Sequence, residues 1–428
     1  MIPILQFNEL SPEDILNRDI RQETGVDEAV DAVLAAVRER GDDALRDYTR
    51  RFDGAELQEL QVSQAELDAA WDSLDAEFIR TLNMAAENIR HFHEQQVHRD
   101  FSLTDRPGIV MGQRYTPIER VGICVPSAPK AFPSTILMNV IPARIAGVRE
   151  IVVVTPPDKN GHISAEALAA ARIAGADRIF KIGGAQAVAA LAYGTETVPK
   201  VDKIVGPGNA FVAEAKRQVF GLVSIDMIAG PSEILVIADG KSNPKFVAAD
   251  LLSQAEHDKM ASAVLVTDSE ELAGQVSAEL ERQIPLLPRA EIARISIDNN
   301  GKIIVADNLF DVIEVANEIA PEHLELSVDN PFDYLDKIKN AGSIFMGRYC
   351  PEALGDYFAG PNHTLPTSGT ARFSSPLSVD DFVKKSQYTY YTKDALQKSA
   401  ESVAFFAEKE GLSAHARSVT VRFEETEK

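Results

Sequence analysis

Short apolar strands alternate with helices from about residue 150 to residue 347, and this alternation constrains the fold more than any other feature. The β-branched run EIVVVTPP (150–157) is closed by prolines, and the alanine-rich stretch AEALAAARIAG (165–175) ends at a glycine. Similar strand-like runs recur at RIFKIGG (178–184), KIVGPG (203–208), EILVIAD (233–239), SAVLVTD (262–268), KIIVAD (302–307) and SIFMG (343–347). Such alternation with short turns is typical of parallel sheets. Because it falls into two series, the sequence predicts an α/β fold with two Rossmann-like parallel domains.

Helical segments are predicted on both sides of this α/β region. Residues 27–98 have apolar residues at helical intervals, and Ser63 and Glu66 have the spacing of a capping box. Residues 376–428 form a polar, helix-rich tail with too little apolar mass for its own core. The predicted division is an N-terminal segment (1–25), one α/β domain (26–107 plus 235–375), a second α/β domain (108–234) and the tail (376–428).

The net charge of −22 over 428 residues argues against anionic partners. Such a surface repels phosphate backbones and anionic membranes, so we expect neither nucleic acid nor a membrane as a partner. The start MIPILQFNELSPED lacks the pattern of a signal peptide, and no apolar stretch is long enough to span a bilayer. Two cysteines, Cys124 and Cys350, provide no disulfide framework and fit a reducing compartment. We therefore expect a cytoplasmic protein in which any zinc site uses histidine, carboxylate or amide ligands.

Two glycine-rich turns follow predicted strands, GGAQA (183–187) and GPGNAF (206–211). Both lie where a helix N-terminus can accept an anion or a nucleotide. Neither has the GxGxxG spacing, and the chain has no Walker P-loop. From these residues alone, plain tight turns are the favoured interpretation and cofactor contact is the alternative.

Apart from His162, which follows Gly161 in a predicted surface turn, the eight histidines divide into two groups. His91, His93 and His98 lie in HFHEQQVH, where a solvated helix end is the favoured interpretation because positions i and i+2 do not share a helix face. Four later histidines stand beside other chemically capable groups, in QAEH (254–257), PEH (321–323), GPNH (360–363) and SAH (413–415).

The QAEH segment ends a helix that Asn243 can cap and Pro244 can begin. Gln254 and His257 then lie on one face, with Cβ atoms about 5–6 Å apart. An amide oxygen and an imidazole there can share a metal ion, and a polar surface turn is the alternative. In PEH, the adjacent glutamate and histidine predict either a catalytic base with a helper or a polar strand start.

Taken together, the motifs resemble the histidinol dehydrogenase family over nearly the whole chain. They are GGAQA, KVDKIVGPGNAFVAEAK (200–216), DMIAGPSEILVIAD (226–239), DLLSQAEH (250–257), APEHLEL (320–326), GDYFAGPNHTLPTSGTAR (355–372) and GLSAHARSVTVR (411–422). Members of this family oxidise L-histidinol to L-histidine with two NAD and zinc. The resemblance therefore implies an enzyme with NAD and one Zn²⁺ per subunit, a small-molecule substrate, and a homodimer whose active sites are shared between chains.

The resemblance also implies roles for particular residues. The expected zinc ligands are Gln254, His257, Asp356 and His415. The expected catalytic acid–base pair is Glu322 and His323. Substrate contacts are expected at Ser232, Gln254, His257, His323, Asp356, His363, Glu410 and His415, and NAD contacts at Cys124, Gln186 and Asn209. His415 and Glu410 are expected to reach the site of the partner chain.

One loop departs from the family pattern. The stretch CVPSAPKAFPS (124–134) stands where members of the family have YVPGG, so Cys124 replaces a tyrosine that contacts NAD, and Ser127 and Ala128 replace two glycines. A cysteine cannot stack as an aromatic ring does. The departure leaves open a related zinc- and NAD-dependent dehydrogenase for another small alcohol, such as sulfopropanediol. Outside enzymes, the alternative is a catalytically silent nucleotide- or metal-binding module. The presence of both Glu322 and His323 favours an enzyme, and the full set of zinc and substrate-side residues favours histidinol.

Overall fold

The structure is a computed structural model that describes residues 2–16, 25–126 and 132–424. The chain forms two compact units. The first comprises Met1–Gln96 and Ile118–Phe382, and the second comprises Val97–Pro117 and Val383–Lys428. Within the described ranges, no helix is both long and apolar enough to cross a bilayer.

Helices dominate the chain before the first sheet. The elements in order are β1 (Ile4–Gln6), α1 (Pro12–Ile15), α2 (Val26–Arg40), α3 (Asp42–Phe52), α4 (Gln64–Ser73), α5 (Ala76–His93), β2 (Phe101–Leu103) and β3 (Ile109–Pro117). The capping box predicted at Ser63 and Glu66 is confirmed. The Ser63 hydroxyl accepts the Glu66 N–H at 3.2 Å, and the Glu66 carboxylate accepts the Ser63 N–H at 2.8 Å.

The first sheet is parallel and has five strands. Its elements are β4 (Arg120–Cys124), α6 (Pro133–Ala146), β5 (Glu150–Val154), α7 (Ala165–Ala174), β6 (Arg178–Phe180), α8 (Gly184–Tyr193), β7 (Lys203–Val205), α9 (Ala210–Val219) and β8 (Ser224–Ile225). The strand order is β6-β5-β4-β7-β8. Helices α6 and α7 contribute to one apolar core, and α8 and α9 to another. This order is doubly wound: β5 and β6 are added on one side of β4, and β7 and β8 on the other. The topological switch point therefore lies between β4 and β7.

The second sheet repeats that order with one strand added. Its elements are β9 (Glu233–Ala238), α10 (Pro244–Ala255), β10 (Ser262–Thr267), α11 (Glu270–Gln283), α12 (Ala290–Asn300), β11 (Lys302–Val305), α13 (Leu309–Ile319), β12 (His323–Ser327), α14 (Phe332–Leu335), β13 (Ser343–Met346) and α15 (Glu352–Tyr357). The parallel order is β1-β11-β10-β9-β12-β13. The prediction of two Rossmann-like parallel sheets is confirmed. Asn243 also caps α10, by accepting the Lys245 N–H at 3.0 Å.

The early helices pack on the helices of the first sheet. The sequence prediction joined residues 26–107 to 235–375, but α2 packs against α8 and α9, and α4 and α5 pack against α7 and α6. The apolar faces of these helices therefore complete the cores of the first sheet. Helical periodicity shows that a helix has an apolar face but does not show which sheet that face covers. The predicted domain boundaries stay predictions.

The second unit contains a strand that the sequence prediction missed. Its later elements are β14 (Val383–Tyr391), α16 (Lys393–Lys409) and α17 (Ser413–Thr420). β14 pairs antiparallel with β3 over nine residues, and β3 also pairs with β2. The tail predicted from residue 376 is therefore not helical throughout. The sequence VKKSQYTYY lacks the alternating apolar residues that predict a strand, and most of its side chains are exposed. The strand forms by main-chain pairing with β3, which is distant in sequence.

Candidate active site

The predicted catalytic pair lies at the amino edge of the second sheet. His323 is the first residue of β12, Glu322 precedes it, and the neighbouring strand β9 begins at Glu233. The pair does begin a strand, as one interpretation of PEH predicted, and both side chains are buried. Ser232 lies at the same edge, where its carbonyl accepts the Ser262 N–H at 3.0 Å.

Main-chain hydrogen bonding orients the ring of His323. Its Nδ1 is 3.0 Å from the carbonyl oxygen of Glu233 and 3.5 Å from Oε2 of Glu322. A carbonyl only accepts, so Nδ1 carries the proton in this contact and the neutral ring leaves Nε2 as a lone-pair donor. Burial lowers the pKa of His323, which is only 4% exposed. The ring is thus held neutral with Nε2 available to accept a proton.

The carboxyl group of Glu322 is fixed in the same way. Its Oε2 accepts the main-chain N–H of Glu233 at 2.9 Å. Burial raises the pKa of Glu322 well above its usual range, and the nearby charges of Glu233, Asp356 and Glu352 add to that rise. Such a carboxyl group is suited to exchange protons near neutral pH.

A second pair of carboxyl groups comes from α15. Glu352 and Asp356 are one helical turn apart, and burial followed by the charge of Glu352 raises the pKa of Asp356 well above its usual range. Ligand atoms of His323, Glu352 and Asp356 lie within 4.8 Å of one another. Oε1 of Glu352 is 3.8 Å from Nε2 of His323, and Oε2 accepts the Ser253 hydroxyl at 2.9 Å. The carboxyl groups of Glu352 and Asp356 lie close enough together to favour the binding of a cation.

Glu352 was missed in the sequence analysis. The available signal was its position four residues before Asp356, which puts both carboxyl groups on one helix face. No motif singled it out, because PEALGDY reads as an ordinary surface helix until its packing against α10 is known.

The predicted metal ligands at the end of α10 fit a metal site in part. Gln254 is completely buried, and neither atom of its amide group has a hydrogen-bond partner among the described residues. Such a buried group requires an explanation, and a metal ion held by the amide oxygen provides one. His257, just beyond the helix, is exposed, and its charge contributes to lowering the pKa of both His323 and His363. The donor set of amide, carboxylate and imidazole is one that zinc accepts.

His363 is close to the same carboxyl groups. Its Nδ1 is 3.0 Å from the main-chain oxygen of Asp356 and 3.7 Å from the carboxylate oxygen Oδ1 of that residue. Burial lowers the pKa of His363 to about 4, and the charges of His323 and His257 also lower it. The first unit therefore brings together the predicted residues Glu322, His323, Asp356 and His363.

One histidine predicted to be solvated is buried instead. His93 has no exposed surface, its Nδ1 is 2.8 Å from the carbonyl of Ile89, and its Nε2 is 3.3 Å from Nδ2 of Asn362. The Asn362 amide also donates to the Met138 carbonyl at 2.7 Å. The prediction is wrong for His93 because this helix end is covered by the segment that carries His363. His91 is exposed, as predicted.

A strained turn closes over the start of β9. Ser368 has a φ of 54°, in the left-handed region that few non-glycine residues adopt. Its N–H donates to the Glu233 carboxylate at 3.0 Å, and Thr367 accepts the Gly230 N–H through its hydroxyl at 2.7 Å. A Cβ added at Gly230 would lie 2.3 Å from the Ser368 hydroxyl oxygen. Strain of this kind clusters at functional sites, and here it holds residues 230–233 in place.

The predicted NAD contacts lie at the carboxyl edge of the first sheet. Cys124 ends β4, Gln186 is buried in the first turn of α8, and Asn209 caps α9 by accepting the Val212 N–H at 3.1 Å. Nucleotides bind at this edge, next to the switch point, in sheets of this order. The thiol of Cys124 is buried in the core that α8 and α9 cover. Ser127 and Ala128 lie outside the described residues.

A short connection joins the two edges. Residues 226–232 run from the end of β8 in the first sheet to the start of β9 in the second. Eight residue steps, from Ile225 to Glu233, span at most about 29 Å. The carboxyl end of β8 and the amino end of β9 therefore lie within that distance of each other.

Two predicted site residues belong to the second unit. Glu410 follows α16 as its C-cap, and His415 lies in α17. Both are exposed. Their assignment to a site shared with a partner chain stays a prediction.

Comparison with known proteins establishes the family. The family model for histidinol dehydrogenase matches residues 16–423. The histidinol dehydrogenase of Clostridium acetobutylicum is 52% identical over 427 residues, which cover 99% of both chains, and that of Bacillus cereus is 54% identical over 409 residues, covering 96% of this chain and 95% of the relative. The crystal structure of histidinol dehydrogenase from Elizabethkingia anophelis matches with a TM-score of 0.94 at 39% identity, covering 99% of this chain and 98% of that one. This chain belongs to the histidinol dehydrogenase family.

The two cysteines should differ sharply in reactivity. Burial raises the pKa of the Cys124 thiol to about 12, whereas Cys350 is partly exposed. At about pH 8 a thiol with the former pKa is almost entirely protonated and therefore unreactive. An aromatic disulfide reagent should titrate one thiol per native chain and two after denaturation. Cys350→Ser should abolish the fast reaction and Cys124→Ser should leave it intact, and fast loss of two thiols from the native chain would contradict the buried position of Cys124.

Proposed function

We propose that this protein is an L-histidinol dehydrogenase that oxidises L-histidinol through L-histidinaldehyde to L-histidine. The reaction removes two hydrides and adds the oxygen of one water, and two NAD are reduced. The observation that carries the proposal is the buried, oriented imidazole of His323 beside the carboxyl groups of Glu322 and Asp356, in a chain of this family.

His323 is the proposed base in the first oxidation. The Glu233 carbonyl keeps the proton on Nδ1, so Nε2 can take the alcohol proton as the hydride leaves the adjacent carbon. The lowered pKa of His323 supports this role, because the ring is neutral when substrate arrives. NAD, when bound, accepts the hydride.

Glu322 is proposed to act in the second oxidation. The aldehyde must gain water before a second hydride can leave, and a carboxyl group beside the base can move the proton of that water. The raised pKa of Glu322 supports proton exchange near neutral pH. The imidazolium of His323 returns its proton to the aldehyde oxygen as the water adds, and the neutral ring then takes a hydroxyl proton of the hydrate as the second hydride leaves.

Gln254, His257 and Asp356 are proposed to hold one zinc ion, together with His415 of a second chain. When bound, zinc supplies a Lewis acid that can hold the imidazole and the amine of histidinol. The unpartnered amide of Gln254 and the half-buried carboxyl group of Asp356 support this assignment. Ser232, His363 and Glu410 are proposed to contact the substrate.

Cys124, Gln186 and Asn209 are proposed to line the NAD site. Their position at the carboxyl edge of the first sheet supports the assignment. The relatives that match over nearly the whole chain are histidinol dehydrogenases, so oxidation of another small alcohol is not favoured. Two cysteines without a disulfide support a cytoplasmic location, and the strongly negative charge supports the absence of nucleic-acid and membrane partners.

The protein is proposed to act as a homodimer. The second unit exposes apolar side chains on and just after α16, each between 42% and 68% exposed: Val403, Phe405, Phe406 and Leu412. An apolar face of this kind marks an interface. A partner that covers it would lie beside Glu410 and His415, which supports a site built from both chains.

Replacement of the base should abolish chemistry without removing metal. His323→Asn should lower turnover about 10²- to 10⁴-fold, the range for loss of a general base. Its zinc content, measured by atomic absorption, should equal that of the unchanged protein, whereas Gln254→Ala should lose zinc. The matched control is His91→Asn, which alters an exposed histidine and should be fully active. Turnover of His323→Asn within threefold of the unchanged protein would rule out the assigned base.

A mixed dimer tests the shared site. One chain carries His323→Asn and the other carries His415→Ala, and each homodimer should be nearly inactive. If sites are shared, one site of the hybrid collects both substitutions and the other collects none. About half of the activity per dimer should then return.

The hybrid is purified through two different affinity tags, and activity is measured by NADH absorbance. If His415 served its own chain, every site in the hybrid would carry one substitution. A hybrid no more active than its parents would then exclude the exchange.

A further inference from the structure

A buried ion pair lies beneath the glycine turn of the first sheet. Lys216 of α9 and Asp226, which follows β8, form a salt bridge in which the side chains are 3% and 1% exposed. Removing two charges from water is costly, and apolar residues of similar volume often replace such a pair without loss of stability. Stability alone therefore does not explain why this ion pair is present, and its hydrogen bonds indicate another role.

Both charges bind the main chain of one glycine. The Gly206 N–H donates to Oδ2 of Asp226 at 2.7 Å, and the Gly206 carbonyl accepts from Nζ of Lys216 at 3.0 Å. Gly206 has a φ of 103°, and an added Cβ would lie 2.2 Å from the carbonyl oxygen of Cys124. The turn is thus packed directly on the end of β4 and is held at its donor and its acceptor by opposite charges.

This turn occupies the switch point of the first sheet. Gly206 follows β7, which is the neighbour of β4 in the sheet, and the turn leads within three residues to Asn209 at the start of α9. The same carboxylate of Asp226 accepts the Met227 N–H at 2.6 Å. Asp226 therefore fixes both the turn at the nucleotide edge and the start of the connection that leads to Ser232.

We propose that the Lys216–Asp226 ion pair is a positioning device that shapes the 206–209 turn for NAD and so sets the affinity for the cofactor. The inference rests on the proposed function only in taking this edge as the NAD site. The pair does not touch the reacting atoms, so Lys216 and Asp226 are positioning residues. Their loss should weaken cofactor binding much more than it slows turnover at saturating NAD.

The test uses the zinc-loaded dimer and titrates NADH by its fluorescence. Lys216→Met and, separately, Asp226→Asn should raise the NADH dissociation constant about 10- to 100-fold, as expected for lost hydrogen bonds to a charged group. The turnover number at saturating NAD should fall much less than this. The matched control is Arg217→Met on the same helix, which breaks an ion pair with Glu214 whose arginine is 57% exposed and should leave the NADH affinity unchanged.

A double variant separates positioning from stability. Each single variant leaves one charge buried and should lower the melting temperature, whereas Lys216→Met with Asp226→Leu removes both charges and should recover most of that loss. The NADH affinity should stay weak, because neither new side chain can hold the Gly206 peptide groups.

Recovery of NADH affinity together with the melting temperature would overturn the inference, as would single variants with unchanged affinity. If the double variant does not fold, the milder Asp226→Asn decides by its affinity alone. An unchanged protein that fails to bind NADH would contradict the proposed function instead.

Discussion

The hydrogen bond between Nδ1 of His323 and the Glu233 carbonyl is the contact on which the proposed chemistry depends. It exists because β9 and β12 are adjacent parallel strands, with His323 in register with Ile234. That register brings the first residues of both strands to one edge, where Glu322 also binds the Glu233 main chain. Sheet pairing thus fixes the tautomer of the His323 ring, the proposed base, through its contact with the Glu233 carbonyl. The strained turn at Ser368, which binds the Glu233 carboxylate, stabilises the same edge from the other side.

The second constraint is charge. Glu322, Glu352 and Asp356 place three carboxyl groups in a buried region, and burial together with their mutual repulsion raises the pKa of Glu322 and Asp356. A fold does not gain stability from such a cluster, so its presence is explained by what it binds. A divalent cation would relieve the repulsion and would give the Gln254 amide a partner. The first sheet has a different arrangement. There the buried charges of Lys216 and Asp226 pair with each other and hydrogen-bond to the main chain of Gly206.

Local pattern predicted most of the fold. The β-branched runs became the strands of both parallel sheets, and the caps at Ser63 and Asn243 formed as expected, because each depends on residues close in sequence. Features that depend on distant partners were not predicted. β14 is polar and forms because β3 pairs with it, His93 is buried by the segment around Asn362, and Glu352 gains its role only through packing on α10. The roles assigned to site residues came from the family resemblance. The spacing of QAEH and PEH alone was also compatible with a polar surface turn and a polar strand start.

The stoichiometry of the reaction tests directly whether this protein oxidises L-histidinol to L-histidine. The purified zinc-loaded protein is mixed with a limiting amount of L-histidinol and excess NAD, and both NADH and the amino-acid product are quantified at completion. The account predicts two NADH and one L-histidine for each L-histidinol consumed, with no free aldehyde trapped by a carbonyl reagent. One NADH per substrate with release of histidinaldehyde, or no oxidation of L-histidinol at all, would contradict it.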